Sequence, residues 1–438
     1  MKNNQGFPFL IAGILALGLG MLIGTLAAFQ FIIPDFFELL PFFKSRPLHV
    51  SLVVSWIFLC AIGGIYYYLP TYCRLPLFSS RLVKAHFIIF IATGLAIITS
   101  YLLGKFGGRE YWEFPPILSI PIIVSWVLFG VNFFKTVFRK KGKWPVYLWM
   151  WATGIVFFFI TYLEANLWLI PFFGDNIVRE ITIQWKAYGA LVGSWNMLVY
   201  GTAIFLMEMI SKNSSLAKSN MSYFLYFLGL TNLMFGWAHH TYLVPSAPWI
   251  RYFAYGISMT ELFILAKIIW DWKSSLSNAL KFKHHIAYKF LLSSEIWIFL
   301  NLILALLISI PAINLFTHGT HITVAHSMGS TIGINSMILL ASLFFIIQEN
   351  SEKAIGSNVL KTGIWLANIS LLVFWISLIG AGYLKGTLSF GSDLTFQEIM
   401  EKLSPYLISF GIAGICLFIG MCVILWVALT HLLALRKK

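Results

Sequence analysis

Twelve apolar stretches, each long enough to cross a bilayer, run through the chain near 8–33, 47–72, 84–104, 117–138, 146–170, 184–210, 222–244, 249–270, 287–310, 318–347, 360–384 and 403–433. A transmembrane helix needs about 20 apolar residues, so 438 residues hold these spans with only short connections. Hydrophobic residues make up 59% of the chain and charged residues 11%, against about 25% charged in a soluble domain. That balance excludes a water-soluble enzyme, a nucleic-acid binder and a disordered chain. Backbone polar groups cannot be left open to lipid, so a closed helical bundle follows. The expected fold is an all-α integral membrane protein, read as one membrane domain over 1–438, without internal repeats.

The first apolar run, Phe7 to Ile33, is too long for a signal-peptide core and has no small-residue cleavage site after it, so it reads as a retained span. Twelve spans put both termini on one side. With the termini inside, 21 of the 30 Lys and Arg residues fall on inner segments, as the positive-inside rule requires. Most carboxylates fall outside, including Glu110, Glu113, Asp175 and Glu180. The expected location is therefore the inner (cytoplasmic) membrane, multi-pass, with cytoplasmic termini. The net charge of +14 is accounted for by this topology and needs no nucleic-acid partner. Cys60, Cys73, Cys416 and Cys422 are scattered, and no CxxCH motif attaches a c-type haem.

Polar residues inside spans are costly and mark function by default. Of the ten histidines, His284, His285 and His431 lie in basic stretches and read as solvated, and His86 near a span start reads as structural. His49 opens the second span in RPLHVSLVVSW, as either an interfacial residue or a ligand. His239 and His240 stand side by side late in a span, in GWAHHTYLVP. His318, His321 and His326 lie in THGTHITVAHSMGSTIG. An unpaired imidazole within a span is expensive. Imidazoles projecting inward from several helices are what a bundle uses to hold haem iron or another metal.

The order and spacing of RPLH, GGREYWEFPP, WKAYGALVGSW, GWAHH, ELFILA and HGTHITVAHSM resemble the catalytic large subunit of nitric oxide reductases, in the haem–copper oxidase superfamily. The resemblance runs from about Arg46 to Gly333. It implies a haem–copper oxidase subunit I-like bundle of about twelve transmembrane helices. The cross-linked histidine–tyrosine motif of the common aerobic oxidases is absent.

The resemblance also implies roles. His49 would be an axial ligand of a low-spin b haem and His326 the proximal ligand of a high-spin b haem. The second low-spin ligand of the family falls at Met328. Residues two apart lie about 200° around a helix, so one helix can serve haems on opposite flanks. His239 and His240 map to ligands of a non-haem iron, where copper is the alternative. The third histidine of that site falls at Tyr188, a liganding glutamate at Val192 and a second glutamate at Asn196, with Trp185 and Trp195 framing the register. Tyr188 is then either a phenolate ligand or a hydrogen-bonding group in a vacant pocket. Glu261 matches a glutamate near the active site, as a proton relay or a structural acid. Arg109 and His318 match positions near haem propionates, and Glu110 suits an oxygen-rich calcium site. His321 inherits no role.

The first functional expectation is a membrane oxidoreductase that reduces nitric oxide or a related small gas, with electrons from a c-type cytochrome subunit or another donor such as quinol. The second is an electron-transfer or catalytically divergent relative without a normal binuclear metal. An oxygen-reducing or nitric oxide-dismutating variant is the third.

Overall fold

In the computed structural model, residues 5–33, 35–245, 247–276, 278–351, 355 and 358–436 are described; the side chains of 260–269, 271–272, 274–275 and 278–280 lie outside that description. Among the described residues the secondary structure is helical, apart from an isolated bridge between Arg109 and Trp112. The long helices are α1 (Phe7–Phe29), α2 (Phe42–Cys73), α3 (Ser80–Leu102), α4 (Ser119–Val137), α5 (Val146–Glu164), α6 (Ile177–Ser211), α7 (Asn220–Phe235), α8 (Pro248–Ser275), α9 (His285–Ser309), α10 (His321–Asn350), α11 (Asn358–Gly391) and α12 (Phe396–Arg436). All but α7 and α8 are, among the described residues, long and apolar enough to cross a membrane. The chain is a multi-pass, all-α protein, close to the twelve-span expectation.

Three boundaries depart from the hydropathy pattern for local reasons. α12 begins at Phe396, ahead of its apolar run, because Thr395 and Glu398 form a reciprocal capping box: the Thr395 N–H donates to Glu398 Oε2 at 2.8 Å and the Glu398 N–H to Thr395 Oγ1 at 3.3 Å. The seventh span stops being α-helical at Phe235 and tightens into a 3₁₀ turn over Gly236–Thr241. α10 starts at His321, capped by the Thr320 hydroxyl, after Gly319 takes a left-handed φ of 75°, a conformation glycine adopts without steric cost. Within α10, Gly329–Ser336 is wound as a π-helix, a form found often at functional sites.

The chain packs as two compact units. One comprises 1–141, 343–378 and 400–438. In it α1 and α2 approach closely through glycines: a methyl group on Gly13 would lie 2.9 Å from Cys60 Sγ, and one on Gly20 3.1 Å from Leu52 Cβ. Such small-residue contacts let helix backbones meet where no hydrophobic force drives them together. His86 is fully buried in this unit's aromatic core, its Nδ1 3.0 Å from the Tyr66 hydroxyl and its ring stacked on Phe129, a structural place as expected.

The other unit comprises 142–342 and 379–399. α6 lies tightly along the α7 end through Gly189 and Gly193. Methyl groups there would come 2.5 Å from Trp237 Cβ and 2.8 Å from Leu233 Cγ. His284, expected to be solvated, is buried at the junction between the short helix Asn278–Lys283 and α9.

Candidate haem and metal centre

In the first unit, His49 lies about two turns inside α2 and faces α1. Its Nδ1 is 2.7 Å from the Gly20 carbonyl oxygen. A carbonyl only accepts, so Nδ1 carries the proton and Nε2 keeps its lone pair. No described residue hydrogen-bonds Nε2. A neutral histidine with one nitrogen anchored to a carbonyl and the other open has the form of a metal-ligating imidazole.

One turn earlier on α2, Arg46 reaches the GGREYWEFPP loop. Its guanidinium donates to Glu110 Oε1 at 2.5 Å and to Glu113 Oε1 at 2.8 Å. The loop turns back sharply enough to allow this. The Gly107 and Gly108 amides donate to the Glu113 carbonyl at 3.0 and 3.2 Å, Tyr111 adopts a left-handed φ of 71°, and any Cβ on Gly108 would overlap the Trp112 carbonyl. Arg109 is half-buried beside this turn. Burial pushes the Glu113 carboxyl up from the ordinary 4.5, with Arg46 pulling the other way. Burial, reinforced by Glu110, pushes the Tyr111 phenol up to about 12. A calcium at Glu110 would have to share the carboxylates with Arg46.

In the second unit, the 3₁₀ turn at Gly236–Thr241 presents His239 and His240 together, ring centroids 4.2 Å apart and tilted by 43°. Trp185 of α6 stacks on His240 at 4.7 Å and 9° from parallel. His318 stands edge-on to both rings at 6.1 Å. His326 lies close enough to bear electrostatically on the pair. The Asn314 side chain ties this turn in place, donating to the His239 carbonyl at 3.3 Å and the Ile308 carbonyl at 2.9 Å.

Nδ1 of His240 and Nε2 of His318 are buried without a hydrogen-bond partner among the described residues, while His239 and His326 lie near the backbone carbonyls of Gly236 and Asn301. Leaving a buried polar atom unpaired costs about 1–3 kcal/mol. Two such nitrogens, beside the further imidazoles of His239 and His326, fit a prosthetic group or metal that would satisfy them. Among the described residues, no three His, Cys, Asp or Glu side chains are grouped to hold a single ion.

Tyr188 is buried on α6, whereas Val192, one turn on, is 37% exposed. Asn196 Oδ1 accepts from Asn335 Nδ2 at 3.1 Å, linking α6 to the π segment. His326 and half-buried Met328 both lie in the α-helical part of α10, before the π-helix begins, so they point to opposite flanks. The backbone at Glu261 is helical in α8, and its side chain lies outside the described residues. His321 lies within electrostatic range of Lys385.

Two features escaped the sequence reading. Glu295 is 5% exposed in the middle of α9, and its Oε1 has no hydrogen-bond partner among the described residues. A carboxylate within the apolar run LLSSEIWIFL was the available signal. Lys186 pairs with Glu164 across α5 and α6, next in sequence to Trp185. Nothing in the sequence indicated that pairing.

Residues 5–416 match the family model described as cytochrome c and quinol oxidase polypeptide I. The chain is 23% identical over 441 residues to a nitric oxide reductase subunit of Stutzerimonas stutzeri, covering 94% of this chain and 91% of that protein. It is 24% identical to the Cbb3-type cytochrome c oxidase subunit CcoN1 of the same organism, over 94% and 90% of the two chains. Its fold superposes on a haem–copper terminal oxidase dimer solved by cryo-EM with a TM-score of 0.81 at 15% identity, covering all of this chain and 85% of that one.

Proposed function

Since the chain belongs to the cytochrome c and quinol oxidase polypeptide I family of the haem–copper oxidase superfamily, we propose that it is the two-haem membrane subunit of a nitric oxide reductase-like enzyme. The gas reduced is nitric oxide or a related small molecule. Haem iron, when bound, supplies one-electron redox chemistry and an open coordination position for the gas. The observation that carries this reading is the gathering of the His239, His240, His318 and His326 imidazoles in one region, with His240 Nδ1 and His318 Nε2 buried and unpaired.

The residues divide the work. His49 would offer Nε2 and Met328 its thioether to a low-spin haem, and His326 would hold a high-spin haem. Arg109 and His318 match positions near haem propionates, where Arg109 would offer charge and His318 a hydrogen bond. His239 and His240 line the gas pocket, where iron or copper would be held, with Tyr188 as a further ligand or hydrogen-bond donor. Glu261 matches the glutamate of the nitric oxide reductase pattern and is the candidate proton relay or structural acid. Glu110 is the calcium candidate on the outer loop. Electrons come from a c-type cytochrome subunit or another membrane donor. The chain lies in the cytoplasmic membrane with both termini inside and folds as one membrane domain.

A second reading is favoured by the donor set. Ferrous iron favours mixed nitrogen and carboxylate ligands in sufficient number, and Val192 replaces the carboxylate of the nitric oxide reductase pattern. The chain is then a divergent relative that keeps its haems and handles electrons or a different gas without the usual metal. A haem and metal count on the purified protein, with nitric oxide and oxygen consumption measured on the same sample, separates the two. Two haems with nitrous oxide formation support the first reading, whatever iron survives purification; two haems without nitrous oxide formation support the second.

A further inference from the structure

α1 carries Gly20 and Gly24 four residues apart, in GMLIG, and both meet the same side chain on α2. The Gly20 carbonyl accepts the His49 Nδ1 proton at 2.7 Å. At Gly24, an added methyl group would overlap the His49 ring at Nδ1 and Cε1. The two contacts are independent: one is a directed hydrogen bond, the other a space that only a bare backbone leaves. At Gly18 of the same helix the constraint is absent, since a methyl there would meet only Leu425 Cδ1 at 3.9 Å.

We propose that Gly20 and Gly24 are positioning residues for the low-spin haem, seating the His49 ring against α1 so that its Nε2 alone is available to iron. This rests on the reading of His49 as a haem ligand. The Gly20 carbonyl fixes the tautomer and makes the imidazole a stronger donor, as outer-shell partners of ligating histidines do. Gly24 fixes the plane of the ring. Together they set the orientation of the haem ligand from a helix that contributes no ligand of its own.

The test is a mutant cycle in the full-length, haem-loaded protein, with Gly24→Ala made alone and in a His49→Ala background and Gly18→Ala as the control. The readouts are the low-spin absorption and magnetic circular dichroism signal, the midpoint potential of that haem, and the unfolding temperature. Gly24→Ala alone is expected to remove or shift the low-spin signal and to lower the unfolding temperature. In the His49→Ala background the same change should leave the unfolding temperature where His49→Ala put it, because the ring it strikes is gone. Gly18→Ala should match the wild type. A Gly24→Ala protein with wild-type spectrum and potential, or an equal loss of stability in both backgrounds, would overturn the seating role. If His49→Ala retains the low-spin signal, the ligand reading fails instead, while the stability cycle still reports whether Gly24 seats the ring.

Discussion

His240 and Trp185 lie face to face, their ring centroids 4.7 Å apart and their planes 9° from parallel. The stack joins the 3₁₀ turn after α7 to α6, and His318 closes it from the edge. It holds one imidazole of the pair rigidly, whichever group that imidazole serves.

Replacing Trp185 tests this rigidity. Aromatic pairs contribute about 0.5–1.5 kcal/mol beyond their area burial, and Trp→Ala in packed surroundings costs roughly 3–5 kcal/mol. Trp185→Ala should lower the unfolding temperature clearly, and Trp185→Phe, which keeps a stacking face, only slightly. Equal losses in the two variants would show that the stack itself contributes nothing.

As the proposed second ligand, Met328 would decide the character of the low-spin haem. A His/Met pair raises the potential relative to two histidines. The wild type should show the near-infrared magnetic circular dichroism band of His/Met ligation. Met328→His should replace it with a bis-histidine band and lower the midpoint potential. A wild-type protein that already shows the bis-histidine band refutes the assignment.

His326→Ala should remove one of two haems and leave the low-spin spectrum unchanged. The helix geometry supports this separation, because His326 and Met328 leave the α-helical stretch His321–Met328 on opposite flanks. Loss of the low-spin signal instead would mean that the two haem assignments are reversed.

The donor set around His239 and His240 bears on metal retention. Loss of a single outer-shell partner typically costs 10–100-fold in metal affinity, and the nitric oxide reductase pattern is here without two inner ligands. Purified wild-type protein should therefore carry well under one non-haem iron per chain. Val192 is partly exposed and has room for a longer side chain, so Val192→Glu should raise the iron content measured by elemental analysis. Stoichiometric iron in the wild type would refute this.

Glu113 gives the outer loop a pH dependence of definite sign. Burial raises its carboxyl above the ordinary 4.5 despite Arg46, so the folded protein binds the proton more tightly than the unfolded chain. Its contribution to stability is then full below about 4.5 and is lost as pH rises through the folded value. Glu113→Gln should flatten the unfolding temperature over that interval. An unchanged pH profile in this variant would rule the group out as its source.

The spans and the paired histidines were legible because each is a local property; the capping box at Thr395, equally local, lies ahead of the apolar run and was missed. Transfer of apolar residues from water sums along a contiguous segment, and a helix cap involves residues three apart. The break of the seventh span at Phe235 was not legible, because hydropathy scores a 3₁₀ turn and an α-helix alike. The GxxxG spacings at Gly20–Gly24 and Gly189–Gly193 were present in the sequence as a packing signal, but not the neighbours they admit.

By itself the sequence determined that this chain crosses a membrane many times on helices, and which few polar side chains must share its interior. Only the tertiary structure decided which ring nitrogen of His49 a carbonyl anchors. Gly20 stands 29 positions from the imidazole it anchors, and Glu113 stands 67 positions from the guanidinium that holds it. A hydrogen bond or a ring stack depends on distance and direction in space, which no local pattern encodes, whereas burial of an apolar helix needs only enough consecutive apolar residues.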